Sequence, residues 1–429
     1  MSRLSTQTAS AIALLLLLAG MLLAGCRQTT ETDSGVVQLG VLMSPDSKGV
    51  WHKLFAEFHQ LHPKIRIKYI EGPTATNTRE DLYVTSFLSG ETPYDLIYAD
   101  VPWIPKFAAA GWLEDLTDKW SDAEWDRFLP GILHGSSYHG RKYMVPVQMN
   151  GGVLFYRKDL LQEAGEEPPE TFAEFLRLGQ ALQSPPDRWG YVWQGKQYEG
   201  LACNYLEVLA GFGGTWIDPV TGKVEVDGPE AVAALQFLRD CIHRTRISPP
   251  GTTTYEEEAS RRLFQSGRAV FHRNWPYAWA LSQKEDSPIR GKVGMVPMPR
   301  APGGQHASTL GGWGFAIAKS SAHKDAAWKF LEFMANLGPA EQLYESAGVQ
   351  SALKAFYEQS NDPMQKAIYT VLQTTLPRPP VPQYAQASDI LQRYVSAALT
   401  DRMTPEAALT AAAAETRLLM GRHGMESAP

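Results

Sequence analysis

The chain has 429 residues, 44% of them apolar and 20% charged, with 36 Gly and 29 Pro. That is a globular composition at the length of two or three domains. A formal charge of −6 argues against a nucleic-acid partner, which requires a basic stripe to neutralise phosphates.

The N-terminus stands apart from the rest. Arg3 is followed by AIALLLLLAGMLLAGC at 11–26, the order of an export signal: a basic residue, an apolar run, then small residues before a cut. Residues 1–25 are therefore expected to be a signal peptide. Leu23-Ala24-Gly25-Cys26 resembles the lipobox of bacterial lipoproteins, which makes Cys26 the expected lipidated residue and membrane anchor. The alternative is a simple signal peptide with a chance cysteine. The polar stretch 26–35 then reads as a tether. No later run is long and apolar enough to span a bilayer.

VVQLGVLM at 36–43 reads as a buried strand. Trp51, Leu54, Phe55 and Phe58 follow at i, i+3, i+4 and i+7, the spacing of one helix face. KIRIKYI at 64–70 alternates charged and apolar residues as a half-buried strand does. A helix over 78–89 and the strand YDLIYA at 94–99 complete a strand–helix alternation that implies an α/β unit with a largely parallel sheet. A second α/β region runs from about 150 to 300. Its expected strands are 153–157, 268–272 and 292–297, and its expected helices 170–183, 199–211, 229–244 and 255–266. A strand at 312–318, a helix at 325–334 and an alanine-rich helical tail at 385–421 follow.

Catalytic signals are weak. P-loop, HExxH and G-x-S-x-G patterns are absent, and GSSYHG at 135–140 misses the last by one position. Ser321 and Lys324 match SxxK but open a helix, where a cap is the better reading. Cys203 and Cys241 match no metal spacing; both are read as reduced thiols in helices, with a disulfide in an oxidising compartment as the alternative. No cofactor and no metal is expected.

The aromatic pattern says more. FHRNWPYAWA at 271–280 sets Trp275, Tyr277 and Trp279 around Pro276. Sugar rings offer C–H faces that pack on aromatic plates, and hydroxyl rims that suit charged planar groups. Arg79, Asp100 and Arg378 fall where elements begin or end, with Asp100 at the carboxyl end of its strand, the edge where open α/β sheets bind ligands. Trp275 and Trp313 hold comparable loop positions.

YDLIYADVPWIPKFAAAGWLEDLT (94–117), VLFYRKDLL (153–161) and RRLFQSGRAVFHRNWPYAW (261–279) resemble the extracellular solute-binding proteins that feed sugar ABC transporters. WGYVWQGKQYEGLAC (189–203), TLGGW (309–313) and PRPPVPQY (377–384) resemble the trehalose/maltose-binding members. The resemblance runs through nearly all of 36–421. It implies a two-lobed periplasmic-binding-protein-like α/β fold (type II) with three hinge crossings, near 145–150, 297–301 and 349–353. Lobe 1 would be 36–146 plus 301–350, and lobe 2 would be 147–300 plus 351–429.

By family pattern, Arg79, Asp100, Trp275, Gly312, Trp313 and Arg378 match ligand-contacting positions. The two tryptophans are expected to stack on sugar, and Asp100 and the arginines to bind hydroxyls. Trp279 reads as packing. The chain departs from the pattern in the first hinge, where relatives commonly carry Tyr and Asp and this one has Gln148 and Asn150. These two either line the pocket or merely hold the hinge backbone. The acid usual in the first strand-to-helix loop is also displaced, to Asp46. The expected protein is a monomeric, non-catalytic, lipid-anchored receptor that passes a disaccharide such as trehalose or maltose to ABC permease subunits. The rivals are a receptor for another small glycoside or polyol glycoside, and a secreted glycoside hydrolase or lectin. A hydrolase requires two carboxylates flanking one bond, and only Asp100 suggests itself.

Overall fold

The computed structural model describes residues 35–422 except 91, 219 and 220. The expected signal peptide, Cys26 and the tether as far as residue 34 lie outside the described residues. In chain order the strands are β1 (Val37–Met43), β2 (Ile65–Glu71), β3 (Leu96–Asp100), β4 (Ser137–Tyr138), β5 (Arg141–Lys142) and β6 (Val145–Gly151). They continue as β7 (Val153–Arg157), β8 (Trp189–Val192), β9 (Ala269–Asn274), β10 (Val293–Val296), β11 (Ser308–Ile317) and β12 (Thr375–Leu376).

Two sheets build two lobes. The first has the order β12-β11-β3-β1-β2, with β6 also on β11. β1 runs parallel to β2 and β3, and β11 closes antiparallel on β3. Between β1 and β2 lies the helix Val50–Leu61, whose Leu54, Phe55 and Phe58 are buried as their spacing requires. Gly49 precedes that helix in the left-handed region at φ 68°, where a side chain would be strained. Asp46 Oδ2 accepts from the His52 amide at 3.0 Å, fixing the first turn.

The second lobe has the order β10-β7-β9-β8. The helices Glu199–Gly211, Pro229–His243, Tyr384–Leu399 and Pro405–Arg422 pack on it. Its own core includes Phe175, Tyr191, Tyr205, Leu238 and Leu391. The helix Phe172–Leu182 starts with a capping box between Thr171 and Glu174. Cys203 and Cys241 are free and buried.

The chain passes between the sheets three times: at Gly152, between β10 and β11, and between β12 and the helix at Tyr384. The second lies where it was expected, from 297 on, but the first and third differ in place from the expected ones. Residues 145–150, read as hinge, lie within a full strand of the first sheet, Val145–Gly151. The polar Gln148 and Asn150 hid its alternation with Val145, Val147 and Met149. The second crossing extends past 301, since the Ala301 amide still donates to Gly211 O in the second lobe. The third lies near 376–384 rather than 349–353. Residues 351–372, assigned to the second lobe from the sequence, pack chiefly on the first, where Leu353, Tyr357, Ile368 and Leu372 join its core. An apolar helix face shows that a helix is covered but not by which sheet.

One buried titratable group in the second lobe makes stability depend on pH. The His272 ring lies between Phe155 and Phe264, fully buried. Its Nε2 accepts from Asn274 Nδ2, and its Nδ1 has no partner. Burial, then the adjacent Arg273, pushes the imidazole well below its ordinary range. The unfolded chain therefore binds a proton below about pH 6.5 that the folded protein refuses. The stability His272 confers is present above that pH and is lost as pH falls. Urea melts from pH 6.0 to 5.0 should show wild type losing about 1.4 kcal/mol more per pH unit than His272→Gln. Parallel slopes would mean that His272 is already protonated in the fold.

Candidate functional site

The sheets place one face of β3, β11 and β6 towards the second lobe. Directly paired residues in a sheet point the same way. Trp313 pairs with Asp100 on one side and Gln148 on the other, and Gly311 pairs with Asn150. Asp100, Trp313 and Gln148 thus form a row across three strands. Opposite stand Trp275 after β9, Tyr277, and Glu199 at the start of its helix. The cleft between has a volume of about 940 Å³, within the range of small-molecule sites, about 300–1,000 Å³. Arg79, Asp100, Gln148, Asn150, Trp275, Gly312, Trp313 and Arg378 all line it.

Their partners differ from the simplest expectation. Asp100 and Arg378 hold each other through two bonds, Nη2 to Oδ1 at 2.8 Å and Nη1 to Oδ2 at 3.3 Å. Arg378 Nη1 also donates to Glu199 Oε1 at 2.8 Å. Glu199 in turn accepts from Ser388 Oγ at 2.6 Å and from the Tyr384 hydroxyl. Asp100 belongs to the first lobe, Glu199 to the second and Arg378 to a crossing, so this cluster bridges the lobes. Burial pushes the Asp100 carboxyl upward, and Arg378 opposes that. Burial disfavours the charge on Arg378 too, but Asp100 first, then Cys203, Tyr384 and Glu199, together raise the guanidinium well above its ordinary value.

Arg79 spends Nη1 on the carbonyls of Pro73 and Thr74, at 3.0 and 2.8 Å. Its guanidinium lies 4.7 Å over the Trp313 ring, and its Nε has no partner among the described residues. Trp313 also stacks on Tyr98 and meets Trp103 edge-on, with centroids 5.1 and 5.2 Å apart. Trp275 is freer: half-buried, with the Arg273 guanidinium 4.2 Å over one face. Trp279 packs on a small apolar cluster around Phe155 and Val293.

Gly312 reaches the cleft through its backbone alone. A Cβ there would lie 2.1 Å from Ile132 Cδ1, on the core side, so the packing demands glycine. Gly311 is the glycine beneath Trp275, where a Cβ would come 3.2 Å from the indole. Asp46 does not line the cleft; it is engaged by His52. Gln148 and Asn150 do line it, half-buried, and among the described residues neither side chain makes a hydrogen bond within the chain. Sequence reasoning missed Glu199, whose acidic character at a helix start looks like an ordinary first-turn residue. It also missed Tyr98 and Trp51, which read as core. Among the described residues no group of His, Cys, Asp and Glu is arranged to hold a metal ion.

Residues 44–340 match the family model described as "Bacterial extracellular solute-binding protein". A Deinococcus radiodurans protein described as "Probable ABC transporter-binding protein" is 33% identical over 83% of this chain and 87% of its own. The "Maltotriose-binding protein" of Pyrococcus abyssi is 27% identical over 78% of this chain and 70% of its own. The "Mannitol-binding protein" of Pseudomonas aeruginosa is 27% identical over 87% and 90%. Among solved structures, maltose-bound T. maritima MalE3 superposes with a TM-score of 0.84 at 42% identity, covering 90% of this chain and all of that one. With two α/β lobes, three crossings and a lined cleft between them, the chain belongs to the bacterial extracellular solute-binding proteins.

Proposed function

We propose that this protein is the sugar receptor of an ABC importer, that it captures a disaccharide such as maltose or trehalose between its lobes, and that it is held outside the cytoplasm by a lipid on Cys26. The observation that carries the sugar reading is the pairing of half-exposed indoles with free amides. Trp275 lines the cleft half-buried with Arg273 over one face only, and Gln148 and Asn150 offer hydrogen-bonding groups that nothing among the described residues uses. That is the chemistry a sugar ring and its hydroxyl rim require. The maltose-bound and maltotriose-binding relatives support the same class. A receptor rather than a hydrolase fits the two buried acids of the cleft: Asp100 and Glu199 are both committed to Arg378, which leaves neither of that pair poised as a general acid. The mannitol-binding relative favours a second reading, a linear polyol.

A thermal-shift panel separates these readings, because a ligand that binds only the folded state raises its melting temperature. Maltose or trehalose at millimolar concentration should raise it by several degrees with no glucose released. A shift from mannitol alone would transfer the assignment to polyols, and free glucose would identify a hydrolase.

Asn150 tests the fit more finely. An ionised Asp only accepts, whereas Asn supplies one carbonyl and one amide. Against Gly311 and open to the cleft, Asn150→Asp would restore the acceptor that relatives commonly carry. Charge-assisted hydrogen bonds are worth about 1.5–3 kcal/mol, so calorimetry should show a gain of that order for plain disaccharides. A change under about 0.5 kcal/mol would assign Asn150 to the hinge backbone instead.

A further inference from the structure

We propose that Arg273 and Glu207 form a positioning pair that fixes the attitude of Trp275 and ties it to two of the three crossings, so that a ligand settling on Trp275 is felt at the hinge. The inference rests on the reading of Trp275 as the sugar platform. Both side chains are wholly buried, with no solvent contact. Arg273 lies near the end of β9, two positions before Trp275, which follows the strand. Its guanidinium covers one face of the indole at 4.2 Å, so a ligand meets the other.

That plane is held on every edge. Arg273 Nε donates to Glu207 Oε2 at 2.7 Å, and Nη2 donates to Glu207 Oε1. Nη1 donates to Gln194 Oε1 at 3.0 Å, and Gln194 Nε2 returns a bond to the Arg273 carbonyl at 3.0 Å. A forked guanidinium locked in this way has no freedom to tilt, and neither has the ring stacked on it.

Glu207 carries the connection onward. Its Oε1 also accepts from the Thr309 amide at 3.1 Å, where β11 begins after the second crossing. At the first crossing a Cβ on Gly152 would fall 1.9 Å from Glu207 Oε1 and 2.4 Å from Arg273 Nη2. The backbone passes so close to the pair that only glycine fits. Ser308 Oγ donates to the Gly152 carbonyl at 2.6 Å, joining the two crossings to each other. Stability alone does not account for charges here, because well-packed apolar side chains commonly serve a core at least as well as a buried ion pair. The planar fork supplies direction, which an apolar pair does not.

The test is a double-mutant cycle in maltose affinity, read by calorimetry. Arg273→Lys keeps a charge beside Glu207 but removes the plane. It should weaken binding at least fivefold in the wild-type background and less than twofold when Trp275 is already Ala. Equal factors in both backgrounds would overturn the proposal, since a general structural loss does not depend on the indole. If Arg273→Lys does not fold, Arg273→Met with Glu207→Leu replaces it. That pair leaves no charge buried alone, and the same non-additivity is expected. Should neither maltose nor trehalose bind wild type, the disaccharide assignment falls, and the pair is read without ligand by hydrogen exchange. Arg273→Lys should then speed exchange of the Thr309 amide at least tenfold relative to the other amides of β11, and unchanged exchange would overturn the link to the hinge.

Discussion

Arg378→Ala is expected to destabilise the protein by about 3–5 kcal/mol, the largest effect of any single change in the cleft. The loss comes from what stays behind. Asp100 and Glu199 are nearly buried, with side chains 7% and 12% exposed, and Arg378 is the cation bonded to both. Without it, two carboxylates face each other in a site that desolvates them, and each must take up a proton or admit water. Arg378→Lys should recover only part of the loss, because a single ammonium cannot reproduce the two-bond fork to Asp100 while also reaching Glu199. Added salt should change little, since buried pairs are weakly screened. Urea melts of the three proteins measure all of this. A loss under about 1 kcal/mol would mean that the arginine is a solvated arm held ready for ligand, as the family pattern alone suggests, and not the strut between lobes that its contacts describe. Combining Arg378→Met with Asp100→Asn and Glu199→Gln should return much of the stability, since no net charge then remains buried at the cluster.

That prediction concerns residues of unequal visibility in the sequence. Asp100 and Arg378 stood out because they sit at element ends in stretches that resemble a known family, and all eight candidates do line one cleft. Glu199, which completes the charge balance, did not stand out. The sequence reveals that an acid begins a helix, but not that an arginine 179 positions later reaches it. Arg273 and Glu207 were hidden for the same reason: an ion pair distant in sequence leaves no periodic trace. The main strands and helices were legible because their apolar spacing is a local property; β7 falls at 153–157 and one helix at 199–211, as read. β6 was not legible. PVQMNGG places polar side chains on a strand whose second face is the interlobe cleft rather than bulk water or core, and its composition looks like a turn. The lobe membership of 351–372 likewise follows from which core is nearest once both lobes exist, which is tertiary information.

The two tryptophans should separate binding from folding. Trp275→Ala is expected to weaken disaccharide binding by about 2 kcal/mol, roughly 30-fold, as for an aromatic anchor in an interface. It should barely shift the melting temperature, because Arg273 beneath it keeps its ion pair with Glu207. Trp313→Ala should lower both quantities. Its ring carries Arg79 on one contact, Tyr98 on a second and Trp103 on a third. Aromatic pairs of this kind contribute about 0.5–1.5 kcal/mol each beyond the area they bury, so a stability loss of about 2 kcal/mol or more is expected. The contrast matters more than either value, since both indoles reach the same cleft and differ in how many neighbours depend on them. Calorimetric titration beside thermal melts of each variant provides it. Trp275→Ala with affinity intact and stability lost would show that its ring belongs to the second lobe's packing, and the platform would then have to be sought on Tyr277 or Trp51 across the cleft.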